Sequence, residues 1–154
     1  MVGSDKGNRA HVEQTAKHLG LAEQVSFPGF VSSNELVELY QNALALVFPT
    51  FFGPDNLPPL EAFGLGCPVI ASNVSGAVEQ LGDAALLFDP DDEVALAQAI
   101  LELRGDAELR ATLIARGRLR AEERSIAYYL QRMLGLFDAF EKKRRCWAPG
   151  VVKS

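Results

Sequence analysis

Residues 43–72 read ALALVFPTFFGPDNLPPLEAFGLGCPVIAS, and this stretch decides the fold. Its first part, 43–49, is apolar throughout and predicts a strand at the centre of a parallel sheet, buried on both faces. Residues 57–66 have the composition of a short helix, and Pro58 is tolerated in a first helical turn. A second buried strand is predicted at 68–72. Strand, helix and strand in this order favour a parallel sheet.

The same alternation continues on both sides of this stretch. Further short strands are predicted at 25–27 and 84–88, and further helices at 9–20, 32–43, 76–82, 89–105, 106–122 and 125–143. Ser32 or Ser33 is the predicted N-cap of the second helix. Together these segments predict a doubly wound (Rossmann-like) α/β domain with a helical C-terminal tail. The domain is expected at 1–141, and a basic flexible tail at 142–154.

Composition places the chain among soluble globular domains. It has 154 residues, of which 48% are hydrophobic, which is enough to bury one core. No apolar run reaches the ~18–20 residues that span a bilayer, and no signal peptide is visible, so the expected location is cytoplasmic. The net charge of −5 argues against a general nucleic-acid binder. The two cysteines, Cys67 and Cys146, provide neither a disulfide framework nor a zinc site.

Charge is distributed unevenly along the chain. Residues 1–103 hold 3 basic and 14 acidic side chains, whereas 104–154 hold 12 and 6. The basic end could be a partner surface or a solvated helical face. A solvated face is the interpretation for the arginines that alternate with apolar residues, which are Arg110, Arg116, Arg118, Arg120 and Arg124. The cluster at 142–145 could touch anionic lipid, but a solvated tail is favoured.

The helix after 43–49 carries the best candidate chemistry. Its N-terminus, near Asn56 and Leu57, offers backbone N–H groups and a positive dipole end to a phosphate. Glu61 lies one turn further on, where a carboxylate can accept two hydrogen bonds from the vicinal hydroxyls of a ribose. An alternative of equal weight is that Glu61 is an ordinary helix residue without a binding role. The acidic residues at 89–93 are better explained as charges that complement the positive dipole end of the following helix than as calcium ligands. No metal site is predicted.

Several motifs resemble those of the group 1 (GT4-type) glycosyltransferases, in the same order along the chain. They are VSFPGFV at 25–31, LYQNA at 39–43, LPPLEA at 57–62, GCPVIAS at 66–72, GDAA at 82–85 and FDPD at 88–91. The chain is similar to the C-terminal, donor-binding domain of these GT-B enzymes from Gly3 to about residue 140. The resemblance implies the donor half of a retaining transferase, with a UDP- or GDP-sugar as substrate and no metal or other cofactor.

The resemblance also implies roles for individual residues. Glu61 matches the second glutamate of the family's E-x7-E motif, which holds the nucleotide ribose. The backbone N–H groups of Asn56 and Leu57 match those that approach the diphosphate. The loop formed by Gly29, Phe30 and Val31 matches the one along the base, and Thr50 matches a strand end beside the pocket.

The chain departs from the family pattern at one important position. Gly53 stands where the family usually has its first glutamate, so Asp55 is the candidate catalytic carboxylate. The family's phosphate-binding Arg and Lys belong to a strand–helix unit that would precede Met1. Transfer would need an N-terminal acceptor domain in the same protein or in a separate chain. The alternative function is a non-catalytic nucleotide-binding or protein-interaction domain.

Overall fold

The structure, a computed structural model, describes residues 1–3, 7–52, 57–124 and 126–147. The chain forms two compact units, Met1–Asn42 and Ala43–Ser154. The first unit contains the helices α1 (Arg9–His18) and α2 (Ser33–Asn42) and a short 3-10 turn at Ala22–Gln24. Both helices were expected from the sequence pattern.

The strand predicted at 25–27 is wrong. Within the described part of the first unit, strand pairing is limited to one parallel bridge between Val2 and Gly29. The N–H of Gly3 donates to the carbonyl of Gly29 at 2.9 Å. The segment Val25-Ser26-Phe27 does not make a strand without a neighbour to pair along its length, and Pro28 has no N–H to extend the pairing.

A capping box starts α2. The backbone N–H of Ser32 donates to Oε2 of Glu35 at 2.8 Å, and the N–H of Glu35 donates to the Ser32 hydroxyl at 3.3 Å. These hydrogen bonds hold the pKa of Glu35 below its ordinary value. Of the two predicted N-cap residues, Ser32 is therefore the one that caps the helix.

The second unit is a three-stranded sheet with helices. Its elements are β1 (Leu46–Phe48), α3 (Leu57–Gly64), β2 (Val69–Ser72), α4 (Ala77–Leu81), β3 (Ala85–Phe88), α5 (Glu93–Gly105), α6 (Ala107–Glu123) and α7 (Ile126–Trp147), with a 3-10 turn at Gly82–Ala84 between α4 and β3. The strands are parallel, in the order β1-β2-β3, with Ile70 paired to Val47 on one side and Leu86 on the other. The predicted α/β fold is confirmed.

The position of β1 in this sheet differs from the prediction. Among the described strands, β1 lies at an edge and β2 at the centre. Val47 of β1 is 36% exposed, whereas all four residues of β2 are buried. An apolar run predicts burial but does not tell which neighbour provides it, so the apolar run at 43–49 does not by itself define a central strand.

The core of the unit joins the sheet to α5 and α6. Ile70, Phe88, Leu103 and Leu113 form one buried cluster, with β2, β3, α5 and α6 contributing one residue each. Full burial of such a side chain is worth ~1.5–3 kcal/mol. Because the cluster joins β2 and β3 to α5 and α6, it fixes α6 against the sheet.

Aspartates begin two of the helices. The carboxylate of Asp92 accepts the N–H of Ala95 at 2.8 Å at the start of α5. Asp106 accepts the N–H groups of Glu108 and Leu109 at the start of α6. The side chain of Asp92 therefore acts as the helix cap that the acidic stretch at 89–93 favours.

The arginines of α6 correct a further prediction. Arg120 donates from Nη2 to the carbonyl of Glu79 at 2.6 Å and from Nε to that of Gln80 at 3.1 Å. Arg124 donates to the same Glu79 carbonyl at 2.8 Å, and Arg116 to the Asp83 carbonyl at 3.2 Å. These three residues bond the carbonyls left unsatisfied at the C-terminal end of α4 and just beyond it. The prediction of a solvated face is therefore wrong for the half-buried Arg120, whereas Arg116, Arg118 and Arg124 are exposed.

Candidate nucleotide-sugar site

The connection from β1 to α3 begins with a turn built by Thr50. The Thr50 hydroxyl donates to the carbonyl of Phe52 at 2.6 Å and accepts the N–H of Phe52 at 3.2 Å. The side chain predicted to lie beside a pocket is therefore engaged within its own turn. The turn leaves the rings of Phe51 and Phe52 69% and 84% exposed at the carboxyl end of β1. Two aromatic faces are thus open beside the predicted phosphate-binding helix end.

The N-terminus of α3 is poorer in hydrogen-bond donors than an average helix end. Pro58 and Pro59 have no N–H, so among the first four residues only Leu57 and Leu60 carry one. The Leu57 side chain is 59% exposed. The helix dipole and the Leu57 N–H are the groups that α3 can offer to an anion there. Gly53, Asp55 and Asn56 lie outside the described residues.

Glu61 lies one turn into α3, on its exposed face. On the opposite face Pro59, Ala62 and Phe63 are buried. This arrangement holds the helix firmly while the Glu61 side chain stays accessible to a ligand. The position fits the ribose-binding role that the sequence predicts.

A Schellman motif ends α3. The N–H of Cys67 donates to the carbonyl of Ala62 at 2.8 Å, and the N–H of Gly66 to that of Phe63 at 3.1 Å. The motif requires a left-handed residue, which Gly66 provides with φ of +74°. The chain passes directly from this cap into β2, so both ends of α3 are tied to strands.

The remaining predicted residues belong to the first unit. Gly29 has φ of +75°, in the left-handed region, and bears the bridge to Val2. Phe30 is 83% exposed and Val31 is half-buried. Thr50, Leu57 and Glu61 are brought together on one connection in the second unit, while Gly29, Phe30 and Val31 form a loop in the first.

Ser72 is a polar residue that the sequence analysis did not single out. It ends the central strand β2 and is 1% exposed, and its hydroxyl has no hydrogen-bond partner within the described ranges. Buried hydroxyl groups are nearly always paired. A small polar residue closing an apolar strand was the available signal in the sequence.

Cys67 is packed at the start of the run that leads into β2. It is 2% exposed, and burial raises the pKa of its thiol. Within the described ranges no three His, Cys, Asp or Glu side chains group as a metal site. Every helix in that part of the chain falls short of the length and apolarity that a membrane crossing requires.

Solved structures with this fold are glycosyltransferases. The chain is 30% identical to the sucrose-phosphate synthase of Thermosynechococcus elongatus, with a TM-score of 0.75, and the match covers 90% of this chain and 38% of that one. It also matches HepE of Anabaena, solved in complex with UDP, with a TM-score of 0.80 and 23% identity over 90% of this chain and 40% of HepE. At that identity the second likeness shows the fold alone.

The family follows from the sequence itself. The model of the glycosyl transferases group 1 matches residues 1–120, and the chain belongs to this family. It is 38% identical over 99 residues to O-antigen chain mannosyltransferase B of Escherichia coli, covering 64% of this chain and 26% of that protein. It is 29% identical over 150 residues to the D-inositol 3-phosphate glycosyltransferase of Stackebrandtia nassauensis, covering 93% and 34%. The chain thus spans about a quarter to a third of these relatives.

Proposed function

We propose that this chain binds the nucleoside diphosphate part of an activated sugar and forms the donor half of a retaining glycosyltransferase. The observation that carries the proposal is the position of Glu61. Its side chain is exposed on a helix that starts beyond the carboxyl end of a parallel strand, which is where open α/β folds bind their ligands. Membership of the group 1 family supports the same conclusion.

Each part of the connection has a distinct role in this proposal. The Glu61 carboxylate accepts hydrogen bonds from the ribose hydroxyls, and the Leu57 N–H with the dipole of α3 faces the diphosphate. The family resemblance assigns the base to the loop of Gly29, Phe30 and Val31, which belongs to the first unit. The Thr50 turn shapes the start of the connection.

Charge limits how the diphosphate can be held. Residues 1–103 carry 3 basic side chains against 14 acidic ones, so side-chain cations are scarce around the site. Dipole and backbone N–H groups must then provide most of the attraction. We expect modest affinity for this chain alone, and tighter binding when an acceptor-binding domain or chain adds basic groups.

The donor is proposed to be a UDP- or GDP-sugar. Relatives that match the chain are named mannosyltransferases and an inositol 3-phosphate glycosyltransferase, and a protein of the same fold was solved with UDP. Because the chain spans only 26–34% of those relatives, the acceptor site belongs to a further domain or partner. We propose that the nucleotide-sugar domain comprises residues 1–141.

One observation favours a second candidate, a non-catalytic nucleotide-binding domain. Gly53 occupies the position of the family's first glutamate, and Asp55 is displaced from it by two residues. A carboxylate moved by two positions points in a different direction unless the loop is rebuilt. In this alternative the nucleotide still binds to Glu61, but the sugar adds nothing to the binding.

Calorimetry of the chain with UDP, GDP and ADP tests the proposal. We expect one of the three to bind with 1:1 stoichiometry, and the corresponding nucleotide sugar to bind more tightly. Equal affinity for the nucleotide and its sugar derivative would favour the non-catalytic alternative. If none of the three nucleotides binds to the folded chain, the donor-site proposal is wrong for it.

A further inference from the structure

A second site is suggested by a cavity of about 540 Å³ between α4, the carboxyl end of α6 and α7. It lies away from the β1–α3 connection. The α4 residue that lines it, Glu79, precedes the turn leading to the amino end of β3. The proposed donor site instead follows the carboxyl end of a strand. The volume of the cavity falls within the ~300–1,000 Å³ typical of small-molecule sites.

Three guanidinium groups line this cavity, those of Arg120, Arg124 and Arg132. Arg120 is fully engaged, because its Nε and Nη2 bond the carbonyls of α4 and its Nη1 lies 3.4 Å from Glu123. Arg124 donates only from Nη2 and Arg132 only from Nη1 to partners in the described ranges. Since a guanidinium has five N–H donors, each of these two has four that bond no partner among the described residues.

Both arginines are held in place before any ligand arrives. Arg124 is anchored on the Glu79 carbonyl at 2.8 Å. Arg132 donates to the Tyr128 hydroxyl at 3.2 Å, and its Cζ lies 5.8 Å from the centroid of the Tyr128 ring. A planar donor fork that is already oriented loses less conformational entropy on binding an oxyanion.

The charge balance of the cavity is opposite to that of the chain. Its lining carries three arginines and two glutamates, whereas the whole chain has a net charge of −5. Glu123 is paired with Arg120, so the Glu79 carboxylate is the acidic group left to oppose Arg124 and Arg132. The lining therefore has a net charge of +1, which suits an anionic ligand.

The rest of the wall is apolar or aromatic. Tyr129, Met133 and Leu136 of α7 line the cavity together with Tyr128. These side chains, of which Tyr129 and Leu136 are exposed, offer apolar and aromatic contacts to an organic group attached to the anion. Capping of α4 explains Arg120 and Arg124, but it does not explain Arg132, which bonds to its own helix.

From these features we infer that the cavity binds a phosphate monoester. Arg124 and Arg132 hold the phosphate oxygens as two donor forks, since guanidinium geometry matches phosphate. Tyr129 and Leu136 contact the attached organic group. The phosphate could be that of a soluble ester or of a lipid headgroup, and the chemistry recognised is the same.

The test titrates the chain with dihexanoyl phosphatidic acid as a monomer, with inorganic phosphate, and with phosphatidylcholine vesicles with or without phosphatidic acid. Arg132→Gln should weaken binding about ten- to one-hundred-fold, as expected for hydrogen bonds to a charged group. The matched control Arg104→Gln, an exposed arginine outside the cavity, should leave the affinity unchanged. Glu79→Gln should tighten binding severalfold because it removes the opposing carboxylate.

The results distinguish a soluble phosphate ester from a lipid headgroup and decide whether the cavity binds a phosphate monoester. Binding of the monomer indicates a soluble ester, and binding of the acidic vesicles alone indicates a headgroup, provided that Arg132→Gln abolishes it selectively. Because Arg132 is exposed, the variant should keep the parent melting temperature. If no probe binds, or Arg132→Gln and Arg104→Gln weaken binding equally, the site is refuted.

Discussion

Gly117 of α6 lies directly against the ring of Phe63 in α3. A Cβ atom added at Gly117 would come within 2.7 Å of Phe63 Cδ1, and Phe63 is 1% exposed. Glycine is required here by close approach, since its φ is not in the left-handed region. The contact fixes α6 against α3, the helix that carries Glu61.

Gly117→Ala should therefore lower the free energy of unfolding by ~1–3 kcal/mol, the usual cost of overpacking. This loss would occur although alanine favours a helix over glycine by ~1 kcal/mol. Gly135→Ala in α7 is the matched control, because nothing lies within 4 Å of a Cβ there. Chemical denaturation should show the control equal to or more stable than the parent. Equal stability of the two variants would contradict the proposed contact.

Arg120 should be more important for stability than other arginines of the chain. Arg120→Lys keeps the charge but loses the fork that bonds the Glu79 and Gln80 carbonyls. We expect a loss of about 1–2 kcal/mol in the free energy of unfolding. Arg104→Lys, at an exposed position of α5, should change it by less than about 0.5 kcal/mol. If both variants were equally stable, Arg120 would not anchor α4.

The capping box of α2 should make stability depend on pH. The pKa of Glu35 lies below its ordinary value of 4.5, because Ser32 donates to the ionised carboxylate. Its contribution is thus full above that value and is lost as the pH falls through the lower folded pKa. Glu35→Gln should be less stable than the parent at neutral pH, and the two unfolding curves should converge in acid. A difference that stays constant with pH would show that the carboxylate does not form the cap.

The Cys67 thiol should be unreactive in the folded chain. Burial raises its pKa, so little thiolate is present, and the sulfur is inaccessible. In a Cys146→Ser variant, a thiol reagent should label Cys67 only under unfolding conditions. Labelling at the rate of a free thiol in native buffer would contradict the packed position.

The sequence predicts those features that depend on local pattern. Apolar runs indicated β2 and β3, and the serines at 32 and 33 indicated the start of α2. The edge position of β1 was not predictable, because burial of an apolar run does not identify its neighbours. The anchoring by Arg120 was missed for a related reason: its partners are backbone carbonyls 40 and 41 residues away, which leave no mark in the sequence.

For the candidate site, the predicted helix after β1 is present and carries Glu61 in its second turn. The ribose-binding role of Glu61 stays a prediction. The loss of donors at Pro58 and Pro59 follows from the sequence and from the predicted helix start, which the structure confirms at Leu57. The engagement of the Thr50 hydroxyl with Phe52 required the geometry of the turn.

The most direct test of the account compares the tightest-binding nucleoside diphosphate with its 2′-deoxy analogue, on the parent chain and on Glu61→Ala. Because Glu61 is proposed to accept hydrogen bonds from the ribose, the parent should prefer the ribonucleotide by about tenfold or more, and the variant should bind both alike. Glu93→Ala, an exposed glutamate at the start of α5, serves as the control and should keep the preference. A preference for the ribonucleotide that survives in Glu61→Ala would contradict the central claim.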